Sequence, residues 1–160
     1  MDKMRTDRKN QNDGFGRFSA LTKYLDIFDG DNFGTWVIDH ENDGTPEHPI
    51  HMPFVDYSQD VYQFIKDFGD FNEQNEDLEL NRYANILEEY RLSRSRKSMQ
   101  EADVSQLDAR CVLPMIMCAI RAERFCDGAL LGCLADGTIQ KCLERLKTID
   151  ENLEAETAEG

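Results

Sequence analysis

Between Arg110 and Arg121 the chain carries ten consecutive residues without a charge, Cys111-Val112-Leu113-Pro114-Met115-Ile116-Met117-Cys118-Ala119-Ile120. The wider set Leu107, Cys111, Met115, Cys118, Ala122 and Phe125 recurs at three- and four-residue steps, the period of a helix. A helix that is apolar on nearly every side has no face to give to water, so it must lie at the centre with other elements wrapped round it. Ten residues are far too few to cross a bilayer, which takes about twenty. Asp103 or Ser105 is the expected amino-terminal cap, Asp127-Gly128 the stop, and Pro114 removes one backbone donor and predicts a kink.

The rest of the chain supplies the wrapping. Phe18, Leu21, Leu25 and Phe28 predict a first helix over 18–28, ended by Asp29-Gly30. Ser58 caps a second, which places Val61, Phe64, Ile65 and Phe68 on one face and stops at Gly69. Leu80, Tyr83, Ala84 and Leu87 predict a third over 76–92. A short helical turn over 129–134 and Asp136-Gly137 lead into the last helix, with Ile139, Cys142, Leu143, Leu146, Ile149 and Leu153 facing inward. One segment abandons this period. Thr35-Trp36-Val37-Ile38 and Ile50-His51-Met52-Pro53-Phe54-Val55 are β-prone and flank the turn residues Asn42-Asp43-Gly44-Thr45-Pro46, which predicts an antiparallel ribbon with a long loop. Pro53 cannot donate to a ladder and marks an edge or the end of pairing.

The expected fold class is therefore α+β, mostly α, with about five helices around a central buried helix and a small two-stranded antiparallel ribbon. Residues 18–153 make a single globular domain. Residues 1–17 are read as a disordered amino-terminal extension, and 154–160 as an acidic frayed tail. Five cysteines, Cys111, Cys118, Cys126, Cys133 and Cys142, form no C-x-x-C pair. An odd number behind an amino terminus with no apolar segment predicts reduced thiols, mostly in the core, and a cytoplasmic protein.

Charge is distributed unevenly. From Asp26 to Glu79 there are fifteen carboxylates and a single base, Lys66, a surplus of fourteen that equals the formal net charge of −14. Such a field repels phosphate and attracts cations or basic partners, and direct nucleic-acid binding is not expected. Arg91, Arg94, Arg96 and Lys97, set among serines, are the only dense basic cluster of the folded part.

Asp39-x-Glu41-x-Asp43-Gly44 has the alternating donors of a calcium loop, but Ile50 occupies the twelfth position where a bidentate glutamate is needed, and the flanks are strand-like. His48-x-x-His51 lies on an extended segment, where residues three apart point to opposite faces. No metal and no cofactor are expected. Arg121-x-Glu123-Arg124-Phe125-Cys126-Asp127-Gly128 mixes acids, bases and a thiol; its simpler reading is a helix end with favourable cations and a glycine cap. Nucleophile-elbow, phosphate-loop, dinucleotide and H-E-x-x-H signatures are all missing, which tilts the reading away from an enzyme.

Phe33-Gly34-x-Trp36, Asn42-Asp43-Gly44-Thr45-Pro46, Pro53-Phe54-Val55-x-Tyr57-Ser58 and Arg121-Ala122-Glu123-Arg124-Phe125-x-x-Gly128-Ala129-Leu130 together resemble a family of small bacterial and phage-associated proteins catalogued as a domain of unknown function. The resemblance covers about 21–153. It implies a bacterial or mobile-element setting and no reaction.

The leading expectation is a non-enzymatic acidic binding protein. Asp39, Glu41, Asp43, Asp60, Asp67, Asp70 and Glu73 would face a basic protein partner, one that handles nucleic acid and whose groove is thereby occupied. One alternative is a small hydrolase or transferase, with a site where the ribbon loop (Asp43, His48, His51) meets Glu123, Arg124 and Asp127; His51, Glu123, Arg124 and Asp127 are then the catalytic candidates. Another is a homodimer pairing Arg91 to Lys97 with the acidic stretch of a second copy.

Overall fold

The computed structural model of the protein describes residues 16–28 and 32–159. The expected disordered extension, 1–17, lies outside the described residues apart from Gly16 and Arg17. The helices are α1 (Ser19–Thr22), α2 (Tyr24–Ile27), α3 (Gln59–Gln74), α4 (Tyr83–Glu89), α5 (Arg96–Glu101), α6 (Ala109–Ala122), α7 (Ala129–Ala135) and α8 (Thr138–Glu159). Two strands, β1 (Gly34–Val37) and β2 (Phe54–Tyr57), pair antiparallel. The molecule is mostly helical α+β, as the sequence predicts.

The apolar run is α6, and every residue from Cys111 to Ala119 is buried. Helices α4, α7 and α8 pack directly on it. Its cap is Asp108, whose carboxylate accepts from Cys111 N–H at 3.2 Å. Asp103 and Ser105, the expected caps, instead satisfy each other in a tight turn, at 2.6 and 3.0 Å. The helix ends at Ala122, one turn early. Phe125, expected on its inward stripe, consequently points out and is 88 % exposed.

Other boundaries also move. The first helix breaks at Lys23, where bonding tightens to an i+3 step (Asp26 N–H to Lys23 O, 3.2 Å). Helix α3 runs straight through Gly69 to Gln74. Gly69 faces open solvent while Phe68 and Phe71 are buried, so core packing outweighs the roughly 1 kcal/mol that a mid-helix glycine costs. The third expected helix is two 3-10 turns, Glu76–Leu78 and Leu80–Arg82, followed by α4. Left-handed backbone at Glu79 (φ 52°) and Arg91 (φ 60°) sets those limits. Helix α5, which the charged and serine-rich composition conceals, is capped by Ser95, whose hydroxyl accepts from Ser98 N–H at 3.2 Å. Helix α8 extends to Glu159, with Leu153 half exposed rather than inward.

The ribbon pairs Gly34 with Tyr57, Thr35 with Asp56, Trp36 with Val55 and Val37 with Phe54. Pairing stops at the residue after Pro53, as the missing donor dictates. Because side chains alternate along a strand, Val55 and Tyr57 enter the core while Phe54 and Asp56 face outward.

Candidate functional site

Tyr57 is the residue that fixes the ribbon to the helical body. Its phenol donates to Glu123 Oε1 at 2.6 Å and accepts from Leu131 N–H at 3.0 Å. Glu123 in turn accepts from Gly128 N–H at 3.0 Å and Leu130 N–H at 2.9 Å, capping the otherwise unpartnered donors at the start of α7. Burial first, then the Glu123 carboxylate, pushes the Tyr57 phenol well above its ordinary pKa of 10.0. Trp36 completes the joint by lying against Gly128. A methyl group there would sit 2.3 Å from Trp36 Cζ2, and the backbone is left-handed (φ 89°), so both space and conformation require glycine.

The long ribbon loop is organised chiefly by Asp39. It accepts from the backbone N–H of Glu41, Asn42 and His51 at 3.0, 3.1 and 2.8 Å, and from the Asn42 side chain at 2.9 Å. Those bonds, the His51 N–H foremost and the Asn42 amide next, hold its carboxyl well below the ordinary carboxylate range. Asp43 makes a tight turn with Thr45 N–H and its hydroxyl, which likewise lower its pKa. The Asp39-x-Glu41-x-Asp43 pattern therefore encodes loop geometry. Among the described residues, no group of three or more His, Cys, Asp or Glu side chains is arranged to hold a metal ion.

The acids expected to meet a partner separate into two groups. Asp67 is mostly buried and takes Tyr24 OH at 2.5 Å, Gln63 at 3.0 Å and Lys23 at 3.1 Å. Burial pushes its pKa up, but these donors more than offset that and the net shift is downward. Asp70 pairs with Lys66, Asp77 with Arg17 and Glu79 with Arg82. The side chains of Glu41, Glu47, Asp56, Asp60 and Glu73 are exposed and form no hydrogen bond or ion pair among the described residues.

The same region concentrates apolar surface. Of the ten large apolar side chains exposed among the described residues, six lie between 36 and 54: Trp36, Val37, Ile38, Ile50, Met52 and Phe54, with Met52 79 % exposed. A seventh, Phe125, projects from the turn on which Trp36 rests.

The proposed catalytic candidates do not share this chemistry. Glu123 is committed to Tyr57 and α7, and His51 meets Asp39 through its backbone. No hydrogen bond or ion pair among the described residues joins the ribbon loop to Glu123, Arg124 or Asp127, and Arg124 and Asp127 are exposed. Two depressions among the described residues lie elsewhere. One, of about 230 Å³, is lined by Tyr24, Phe28, Phe33 and Leu143 among others. The second, of about 570 Å³, lies beside α4. Sequence reasoning missed Tyr57 and Trp36 as the residues joining ribbon to body. They belong to the motifs quoted above, but Tyr57 stands 66 residues from Glu123, and no spacing rule links the two.

A two-stranded ribbon braced on a mostly helical body, with its exposed face both apolar and acidic, defines the class of protein. The chain belongs to the family of unknown function DUF6508, whose model matches residues 16–152. No curated protein and no solved structure matches it. Among the described residues no helix is long and apolar enough to cross a membrane.

Proposed function

We propose that the protein is a non-enzymatic binding protein that engages a basic, nucleic-acid-handling protein through its ribbon, the ribbon loop and the exposed acids of α3. The observation that carries this reading is the coincidence, on one braced ribbon and its loop, of six exposed apolar side chains with the exposed carboxylates Glu41, Glu47 and Asp56. Apolar anchors within a charged rim are the usual anatomy of an interface. The −14 net charge steers a cationic partner toward it. In this reading carboxylates stand where phosphates would lie in the partner's groove, so the protein acts as an inhibitor or regulator of phage or mobile-element type in the bacterial cytoplasm. Glu123, one candidate of the hydrolase reading, caps the start of α7 and accepts from Tyr57, which favours binding over catalysis as the reading of this region.

The test is affinity capture from bacterial lysate with elution by rising salt, followed by binding kinetics with the purified partner. One basic nucleic-acid-binding protein should elute at intermediate salt. Combined Glu41→Lys, Glu47→Lys and Asp60→Lys should slow its association, and Met52→Asp should speed its dissociation. Kinetics unchanged by both variants would overturn the proposal.

A further inference from the structure

The depression of about 570 Å³ beside α4 has a polar lining of a different sign from the acidic stretch. Its lining takes Ala84, Asn85 and Glu88 from α4 and Arg91, Leu92, Ser93 and Arg94 from the following loop. Arg82 and Arg96 nearby are engaged with Glu79 and Asp136. Arg91 and Arg94, by contrast, form no ion pair among the described residues, although the chain has nearly twice as many acids as bases. Two exposed arginines without an ion pair, both among the residues that line this open depression, offer the chemistry that receives a tetrahedral oxyanion.

The backbone fixes the place from which Arg91 projects. Helix α4 ends in a complete Schellman motif, with Leu92 N–H bonded to Leu87 O at 2.9 Å and Arg91 N–H to Glu88 O at 2.9 Å. Arg91 occupies the left-handed position of that motif, φ 60°, where glycine is the favoured residue and any side chain strains the backbone. Arg94 is anchored by its backbone, whose carbonyl accepts from the Cys118 thiol at 3.9 Å. Ser93 Oγ accepts from Ser95 N–H at 3.2 Å, leaving its hydroxyl hydrogen free to donate.

We propose that this depression binds a small phosphate ester, with Arg91 and Arg94 holding the phosphoryl oxygens and Asn85 and Ser93 donating to them. Glu88 sets the second requirement. A lone carboxylate on the wall repels a bare dianion, but it accepts from a hydroxyl or amino group carried beside the phosphate. The −14 field opposes any anion at long range, so recognition depends on these short contacts rather than on steering.

Inorganic phosphate and glycerol phosphate serve as probes, titrated against the full chain by NMR, with chloride at matched ionic strength as control. Both should shift the amides of 85–94 saturably, glycerol phosphate at lower concentration. Arg94→Gln should weaken each at least about 10-fold, the loss expected for one charge-assisted hydrogen bond. Arg91→Gly should weaken them equally without lowering the thermal midpoint of the free protein, because it relieves the left-handed strain. Glu88→Gln should narrow the gap between the two probes. Shifts no larger than those from chloride, or arginine variants that respond like the parent, would overturn the assignment.

Discussion

Glu123 illustrates how a side chain with catalytic chemistry becomes committed to architecture. Its two oxygens take three donors, Tyr57 OH, Gly128 N–H and Leu130 N–H, and so join the ribbon, the end of α6 and the start of α7 at one point. Removing it strands a buried phenol and two helix-start amides. Glu123→Ala should therefore cost about 3 kcal/mol, and Tyr57→Phe about 1–2 kcal/mol, measured by urea unfolding. The double variant should cost clearly less than the sum, since the two share a bond, and strict additivity would contradict the brace. Little of this was legible beforehand. Glu123, Tyr57 and Gly128 each stand in the sequence motifs quoted above, but a motif does not say what a residue touches.

At the scale of elements, hydrophobic period located the helices well and their ends poorly. Ser58 is the clear success: its hydroxyl caps α3 through Val61 N–H at 3.3 Å, a bond decided within three residues. Gly69 is the clear failure, because glycine as a stop is only a local preference while the phenylalanines around it are held by the core. A Cβ at Gly69 meets nothing within 4 Å. Gly69→Ala should accordingly stabilise the protein by about 0.5–1 kcal/mol, seen as a higher urea midpoint with an unchanged slope. Destabilisation would mean that α3 is not continuous there. The ends of α4 were illegible for another reason. Glu79 and Arg91 adopt left-handed backbone, and neither residue type advertises it.

Across the whole molecule, the buried titratable groups predict an asymmetric response to pH. Four cysteines are buried, and burial raises their thiols: Cys111 and Cys133 to about 11 and Cys142 to about 12, against an ordinary 9.0, with Cys118 raised as well. Burial, aided by Asp108, lifts the Tyr90 phenol to about 12 from 10.0. In each case the folded state favours the protonated form. The associated stability is fully present below the ordinary value and is lost as pH rises toward the raised one. The thermal midpoint should hold to about pH 8.5 and fall progressively above pH 9. Cys142→Ala should flatten part of that fall, and a midpoint flat to pH 11 would contradict the burial of these thiols.

What the sequence determined by itself was the centre and the charge. An uncharged helix-period run can only be interior, and an excess of carboxylates between 26 and 79 is a fact of composition that no fold can cancel. Tertiary structure decided how those groups are used. It turned Asp39 and Glu123 into scaffolding, neutralised Asp67, Asp70, Asp77 and Glu79 with bases from the same chain, exposed Phe125, and left Arg91 and Arg94 unpaired beside a depression. The reason is physical. Burial follows a periodicity that local sequence carries, whereas the partner of a polar group is set by which distant segments the packed core brings within about 3 Å.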